Sequence, residues 1–342
     1  MGLMLFPAMK LRSFLLLAYL ALAIGETQAT SVQKGSLKTQ LASPPSAQVV
    51  TIGFYPVSVH HLDIADNTYY IDTYVWLRWK GPIDPTKTIE FVNMVEDWNR
   101  RQTMLLAKPK TEPDGSTYQI MRVEGLFAQP FSLSDYPLDR QRLSIKVEDQ
   151  IHGFDKLVYE FDLENSGVGD LLRIPGWNLD GWKAESLIHD YGSNFGEENA
   201  FQIYSMAKFS IEISRPTNFF LWKLLLPLLM VIVAAVAALL IRPQLLDARA
   251  ALPAAALLSA IFLQKSYSDS LPDLGYLVLM DRVYLIAYPV IILTLIRVIY
   301  AYLHVEDAKI AQVRQVHRTD LKLFGLFLAV FVLGVGLIVA LN

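Results

Sequence analysis

The amino-acid sequence predicts a β-plus-α membrane protein: an extracellular antiparallel β-sandwich of about ten strands, followed by a four-helix transmembrane bundle. Three observations predict it. Hydrophobic residues make up 53% of the 342 residues, high for a water-soluble chain, and they concentrate beyond residue 219. Residues 49–215, by contrast, are charged and aromatic-rich, with apolar and polar positions alternating. Four long apolar stretches then follow one another, joined by polar connections.

Residues 1–29 read as an export signal: Lys10 and Arg12 are basic, 14–24 are apolar, and Thr27-Gln28-Ala29 offers a cleavage end. The apolar core is only about half of the ~20 residues a membrane span requires. Residues 30–47, rich in Ser, Thr, Gln and Pro, read as a flexible leader. The sandwich is expected over 48–215. Lys208, Ser210, Glu212 and Ser214 alternate with Phe209, Ile211 and Ile213, the period of a half-buried strand. Residues 70–79 and 143–147 repeat that pattern, while Pro113-Asp114-Gly115-Ser116 and Gly192-Ser193-Asn194 signal hairpin turns. No long helical pattern interrupts the strands, which argues against a helical receptor or a Rossmann-type domain.

The membrane part is expected over 216–342, with helices at about 217–241, 247–271, 276–304 and 319–341. Phe219-Phe220-Leu221-Trp222-Lys223 fits an interfacial aromatic belt with a snorkelling lysine. Arg242 and Arg249 follow the first span, and Lys309, Arg314, Arg318 and Lys322 lie between the third and fourth. Asp269 and Asp273 follow the second span, with Lys265 at its edge. Basic connections stay cytoplasmic, so the sandwich and the C-terminus are expected outside, on the periplasmic face of a lipid-embedded inner-membrane protein.

Composition also excludes classes. A net charge of -3 without a basic cluster argues against nucleic acid. The absence of cysteine excludes disulfides, thiolate metal sites and cysteine nucleophiles. There is no Gly-x-Ser-x-Gly, His-Glu-x-x-His or nucleotide-binding glycine loop. His60 and His61 are adjacent, so on a regular strand they face opposite ways and cannot share a metal. No catalytic residue, metal or cofactor is therefore expected, and the chain is not read as an enzyme.

Four motifs occur in order along this architecture. Residues 68–79 end in Trp79 and lead into Lys80-Gly81-Pro82. Phe131-Ser132-Leu133-Ser134-Asp135-Tyr136-Pro137-Leu138-Asp139 carries an aromatic-Pro-x-Asp core. Arg215 stands twelve residues before Pro227, and Leu271-Pro272 closes the second apolar stretch. In these motifs, over roughly 49–342, the chain resembles the bacterial pentameric ligand-gated ion channels, relatives of the Cys-loop receptors that lack the loop cysteines. Gln129 and Leu143 stand where animal members have those cysteines. Other departures are Leu138 for an aromatic, Pro253 inside the second helix, and Asn67 where an acid-activated relative has a carboxylate.

The resemblance implies a homopentamer whose second helices line a pore, opened by a small molecule, a proton or hydroxide. Asp247, Ala251, Ala255, Leu258, Phe262, Lys265 and Asp269 are spaced by fours and threes, and so lie on one helical stripe. Around a fivefold axis, Asp247 would form a cation-attracting cytoplasmic ring, Leu258 and Phe262 dewetting apolar rings, and Asp269 an outer acidic ring. Monovalent cations are the expected ions, provided Lys265 pairs with Asp269 one turn away or the helix rotates it outward. The plainer readings are that Asp247 partners the helix dipole beside Arg249 and that the apolar stripe is packing.

The resemblance further implies an agonist site between neighbouring sandwiches. Trp98, Glu148, Asp149, Tyr191, Phe195 and Tyr204 would come from one subunit, and Tyr74, Trp76 and Arg78 from the next. Aromatics with a carboxylate suit a cationic amine. Coupling to the membrane is expected through Asp63, Tyr136, Pro137, Asp139, Arg215 and Pro272, with Asp139 and Arg215 as an ion pair. The rival reading is a membrane-anchored periplasmic ligand-binding sensor without conductance.

Overall fold

The computed structural model describes residues 44, 46–95, 101–196, 203–305 and 310–341. The expected export signal, nearly all of the expected leader, and Trp98 lie outside the described residues.

The β-rich part contains eleven strands among the described residues: β1 (Gln48–Asp63), β2 (Thr68–Trp79), β3 (Ile89–Phe91), β4 (Met94–Val95), β5 (Arg101–Met104), β6 (Lys110–Thr111), β7 (Thr117–Ala128), β8 (Arg140–Asp149), β9 (Leu157–Phe161), β10 (Asn178–Asp190) and β11 (Ile203–Ser214). One sheet runs β4-β7-β2-β1-β9, with β5 and β6 also paired to β7; the other runs β10-β11-β8-β3. Pairing is antiparallel except for β1 with β9, which is parallel and departs from the all-antiparallel expectation.

Alternation explains the sandwich. Along β2, Tyr69, Ile71, Val75, Leu77 and Trp79 are buried, while Thr68, Tyr70, Tyr74, Trp76 and Arg78 face outward to varying degrees. The inner faces of the two sheets meet where Phe54 of β1 stacks on Phe209 of β11 at 5.4 Å; Trp182, from Phe209's own sheet, stacks on it at 5.3 Å. Several buried polar groups inside this core are paired, although the Tyr159 hydroxyl is buried without a partner. Tyr69 donates from its hydroxyl to the Ser144 carbonyl (2.7 Å), and the Ser144 and Ser210 hydroxyls bond each other at 2.9 Å.

One local expectation fails. His61 has φ +50 within an irregularity of β1 between His60 and Asp63, so strict alternation breaks there. The His60 and His61 rings meet edge to face at 5.1 Å rather than pointing apart. Among the described residues, no group of three or more metal-ligating side chains is assembled.

Four helices long and apolar enough to cross a membrane follow: Phe219–Leu240, Leu246–Ser268, Leu279–Leu303 and Ile310–Ala340. The first opens as a π-helical stretch, Phe219–Leu225, immediately before Pro227. Proline lacks the N–H for a regular bond, so a widened turn ahead of it is a natural adjustment. Pro253 sits on a buried face of the second helix without ending it. The fourth helix starts nine residues before the expected 319, because the polar stretch that precedes its apolar half is itself helical. Gly334 lets it approach the third: an added Cβ would lie 2.7 Å from Ile286 Cδ1.

Candidate functional site

The second helix has two unlike faces. Arg249, Pro253, Ala256, Ala260 and Tyr267 are buried against the rest of the bundle. Asp247, Ala251, Ala255, Leu258, Phe262, Lys265 and Asp269 are all exposed on the single chain, Leu258 by 55% and Phe262 by 65%. The stripe read from the sequence is thus the face left uncovered by the helix's own bundle. Lys265 Nζ pairs with Asp269 Oδ1 across one turn, so these two charges face each other. Asp247 and Arg249 do not form a pair in this way. Arg249 turns to the opposite face, where its Nη2 donates to Asp320 Oδ2 (2.7 Å) and its Nε donates to the Ala238 carbonyl (3.0 Å). Arg297, from the third helix, donates to Asp320 Oδ1 at 2.8 Å.

The β-sandwich meets the helices around Asp139 and Arg215. Arg215 Nε donates to Asp139 Oδ1 (2.7 Å), and Gln141 Nε2 donates to Asp139 Oδ2 (2.8 Å). The carboxylate is 1% exposed, so it depends on these donors; losing one partner of such a pair costs about 3–5 kcal/mol. The guanidinium also lies 4.3 Å from the Trp177 ring centroid and 4.9 Å from that of Tyr136. From there the contact passes into the membrane part. Tyr136 stacks on Tyr267 of the second helix (6.3 Å), and Tyr267 stacks on Tyr284 of the third (5.7 Å). Tyr267 donates its hydroxyl proton to Asp281, and Tyr288 donates to Gln264. The Leu279 and Met280 amides donate to the Ser134 and Tyr136 carbonyls, at 2.9 and 3.2 Å.

The other candidates at this level behave differently. Asp63 is exposed and caps its own turn, accepting from the Ala65 and Asp66 amides at 2.9 and 3.1 Å. Pro137 is buried beside Tyr136, and Pro272 is half-buried after the second helix. Asn67, with φ +57, accepts from the Phe131 amide through its side chain at 3.0 Å. A short amide tolerates that left-handed backbone and ties the β1–β2 turn to the segment before Tyr136.

A carboxylate cluster lies in the other sheet. Glu148, 2% exposed at the end of β8, faces His189 Nδ1 at 2.6 Å and accepts from the Tyr191 hydroxyl at 2.9 Å. Tyr191 packs edge-on against Phe195 (5.3 Å) and Tyr204 (5.7 Å). Burial, together with the bond to Glu148, pushes the Tyr191 phenol well above its ordinary pKa, so it stays a donor. Burial and the nearby Glu148 raise Tyr204 in the same direction. Asp149 is already engaged: it accepts from Thr88 Oγ1, from the Ile151 amide at 2.9 Å and from the His152 amide at 2.7 Å.

Tyr74, Trp76 and Arg78 lie on β2, in the opposite sheet, so one chain does not bring them to Glu148. Trp76 donates to Asp162 Oδ2 at 3.0 Å and lies flat over Gly53, where any Cβ would come within 2.1 Å of the indole. Tyr74 faces Arg122, which forks onto the Asp72 carboxylate at 2.9 and 2.7 Å.

Sequence reasoning missed His189, Tyr267, Asp281 and Asp320. A signal existed for Asp320, a lone acid where a basic segment becomes an apolar span; ionisable residues in spans repay attention. His189 and Tyr267 are recognisable only from the elements packed against them.

No protein-family model matches the chain. A search of characterised proteins finds it similar to the "Proton-gated ion channel" of Gloeobacter violaceus, 24% identical over 211 residues. That match covers 55% of this chain and 56% of the relative, so it spans little more than half of either protein. With a β-rich domain and four membrane-length helices as well as this likeness, the chain is a multi-pass membrane protein that resembles the bacterial pentameric ligand-gated ion channels.

Proposed function

We propose that the chain is one subunit of a homopentameric, cation-preferring channel of a bacterial inner membrane, opened by a small molecule or a pH change at the β-sandwich. The observation that carries the reading is the second helix. Its Asp247–Asp269 stripe is exposed, while Arg249, Pro253, Ala256, Ala260 and Tyr267 pack against the subunit's own bundle. A single such helix cannot enclose a pathway, whereas a closed ring of copies can. The Gloeobacter relative is described as a channel gated by protons, which supports an acid step as the first stimulus to apply.

The cation preference follows from charge placement. Asp247 presents its carboxylate on the exposed face, Arg249 is withdrawn to the buried one, and Lys265 is matched by Asp269. At the sandwich, Glu148 with Tyr191, Tyr204 and Phe195 forms the receptor half, and Tyr74, Trp76 and Arg78 of a neighbour would complete it. Asp139, Arg215, Tyr136 and Pro137 transmit its state toward the second helix, with Asp63 and Pro272 at the same level. Residues 1–29 direct export, and the sandwich and C-terminus face the periplasm.

Planar-bilayer recordings of the purified protein in asymmetric potassium chloride, with acid steps and a panel of amines, test this. The current should reverse near the potassium equilibrium potential, and Asp247→Arg should move it toward that of chloride by at least half the interval. Reversal of the wild type at the chloride potential would contradict the assignment of Asp247. Stable pentamers without any current would leave the non-conducting sensor as the reading.

A further inference from the structure

We propose that Asp320, on the fourth helix, is a positioning residue for ion selection: it holds Arg249 behind the second helix and offsets its charge, so that Asp247 dominates at the cytoplasmic mouth. The proposal rests on the channel reading above.

The geometry is compact. Arg249 and Asp320 are both fully buried, joined Nη2 to Oδ2 at 2.7 Å. Arg297 occupies the other carboxylate oxygen at 2.8 Å, and Arg249 Nε is held by the carbonyl of Ala238, at the end of the first helix. All four helices therefore contribute to one cluster around this carboxylate. Two guanidinium groups share this single carboxylate, so the cluster keeps one net positive charge; Arg249 Nη1 is buried without a hydrogen-bond partner. Asp320 is the acid that limits this charge, and nothing else in the cluster substitutes for it.

Arg249 follows Asp247 by two residues, about 3 Å along the helix axis, on the opposite face. Between them lies protein rather than electrolyte, so the guanidinium charge acts on the Asp247 side with little screening. With Asp320 charged, only one net positive charge stands behind Asp247, and the carboxylate on the exposed face dominates at the mouth. Without the Asp320 charge, each of five subunits would place a second uncompensated positive charge behind its Asp247. The mouth would then lose its preference for cations. A purely structural tie between helices predicts lost assembly or stability, but no altered selectivity in the pentamers that do form.

The test is a charge cycle read by reversal potential on gel-filtered pentamers: wild type, Asp320→Glu, Asp320→Asn, Arg249→Gln, and Arg249→Gln with Asp320→Asn. Asp320→Glu should keep the wild-type potassium-to-chloride permeability ratio. Asp320→Asn should lower it about tenfold. The double variant, with both charges removed, should return to within about twofold of wild type. Asp320→Asn pentamers with a wild-type ratio, or a double variant as unselective as Asp320→Asn, would overturn the proposal. Should Asp320→Asn fail to assemble, Arg249→Gln is compared with the double variant. A lower ratio in the double, which leaves Arg297 unbalanced, supports the proposal, and equal ratios overturn it. A wild type that carries no current defeats the channel reading instead. Thermal midpoints of the same five proteins then test the clamp alone: recovery of Asp320→Asn by Arg249→Gln supports it, and additive losses overturn it.

Discussion

Trp76 shows how a single glycine can set the orientation of a candidate site residue. Its indole lies where a side chain on Gly53 would be, with the nearest ring atom 2.1 Å from the position of a Cβ, and its Nε1 is fixed by Asp162. Gly53→Ala should therefore lift the ring and break that hydrogen bond, at an overpacking cost of about 1–3 kcal/mol. A lower thermal midpoint with a shifted indole fluorescence is the expected result; an unchanged midpoint and spectrum would mean that the ring is not seated there. At this scale the sequence was partly legible. The alternation of Tyr74, Trp76 and Arg78 was read from period two, but Gly53 was not, because its role depends on register with a neighbouring strand. Asp247 beside Arg249 invited a reading as neighbours on one helix end. The true partner of Arg249 lies 71 residues away on another helix, a distance no local pattern reports.

Between elements, the notable feature is the chain of rings from Arg215 through Tyr136 and Tyr267 to Tyr284. It links the end of β11, the segment before β8, the second helix and the third. Tyr267 is 5% exposed and gives its hydroxyl proton to Asp281, which also caps the third helix through the Val278 amide at 3.0 Å. Tyr267→Phe keeps the ring but leaves that carboxylate short of one donor, worth about 1–3 kcal/mol. If the chain of rings transmits the stimulus, the midpoint of the stimulus–response curve should move by roughly tenfold, with pentamers intact. An unmoved midpoint would reduce Tyr267 to packing. The four helices and three of the six long strands, β2, β8 and β11, were legible, since length and period carry that information. The β1 irregularity at His61 was not: one residue out of register reverses the faces of its neighbours, and no composition signal marks it. The early start of the fourth helix was hidden because residues 310–318 have no apolar run, although they are good helix formers.

For the whole molecule, the decisive feature is what one chain leaves incomplete. The candidate receptor groups are divided between two sheets, and the second helix exposes Leu258, Ile261 and Phe262 on a face its own bundle does not cover. Exposed apolar surface of this kind calls for lipid, a neighbouring copy or a dewetted pathway, and the sequence could not choose among them because the choice depends on the other copies. The two faces of the helix make the choice measurable. The chain contains no cysteine, so a single introduced thiol reports on one position only. Leu258→Cys and Ala260→Cys place that thiol two residues apart, one on the exposed face and one on a fully buried position. Applied to open channels in a bilayer, a membrane-impermeant, positively charged thiol reagent should stop the current of Leu258→Cys irreversibly and leave that of Ala260→Cys unchanged. Modification of Ala260→Cys with Leu258→Cys untouched would show that the conducting face is not the one assigned to the second helix, and would contradict the account.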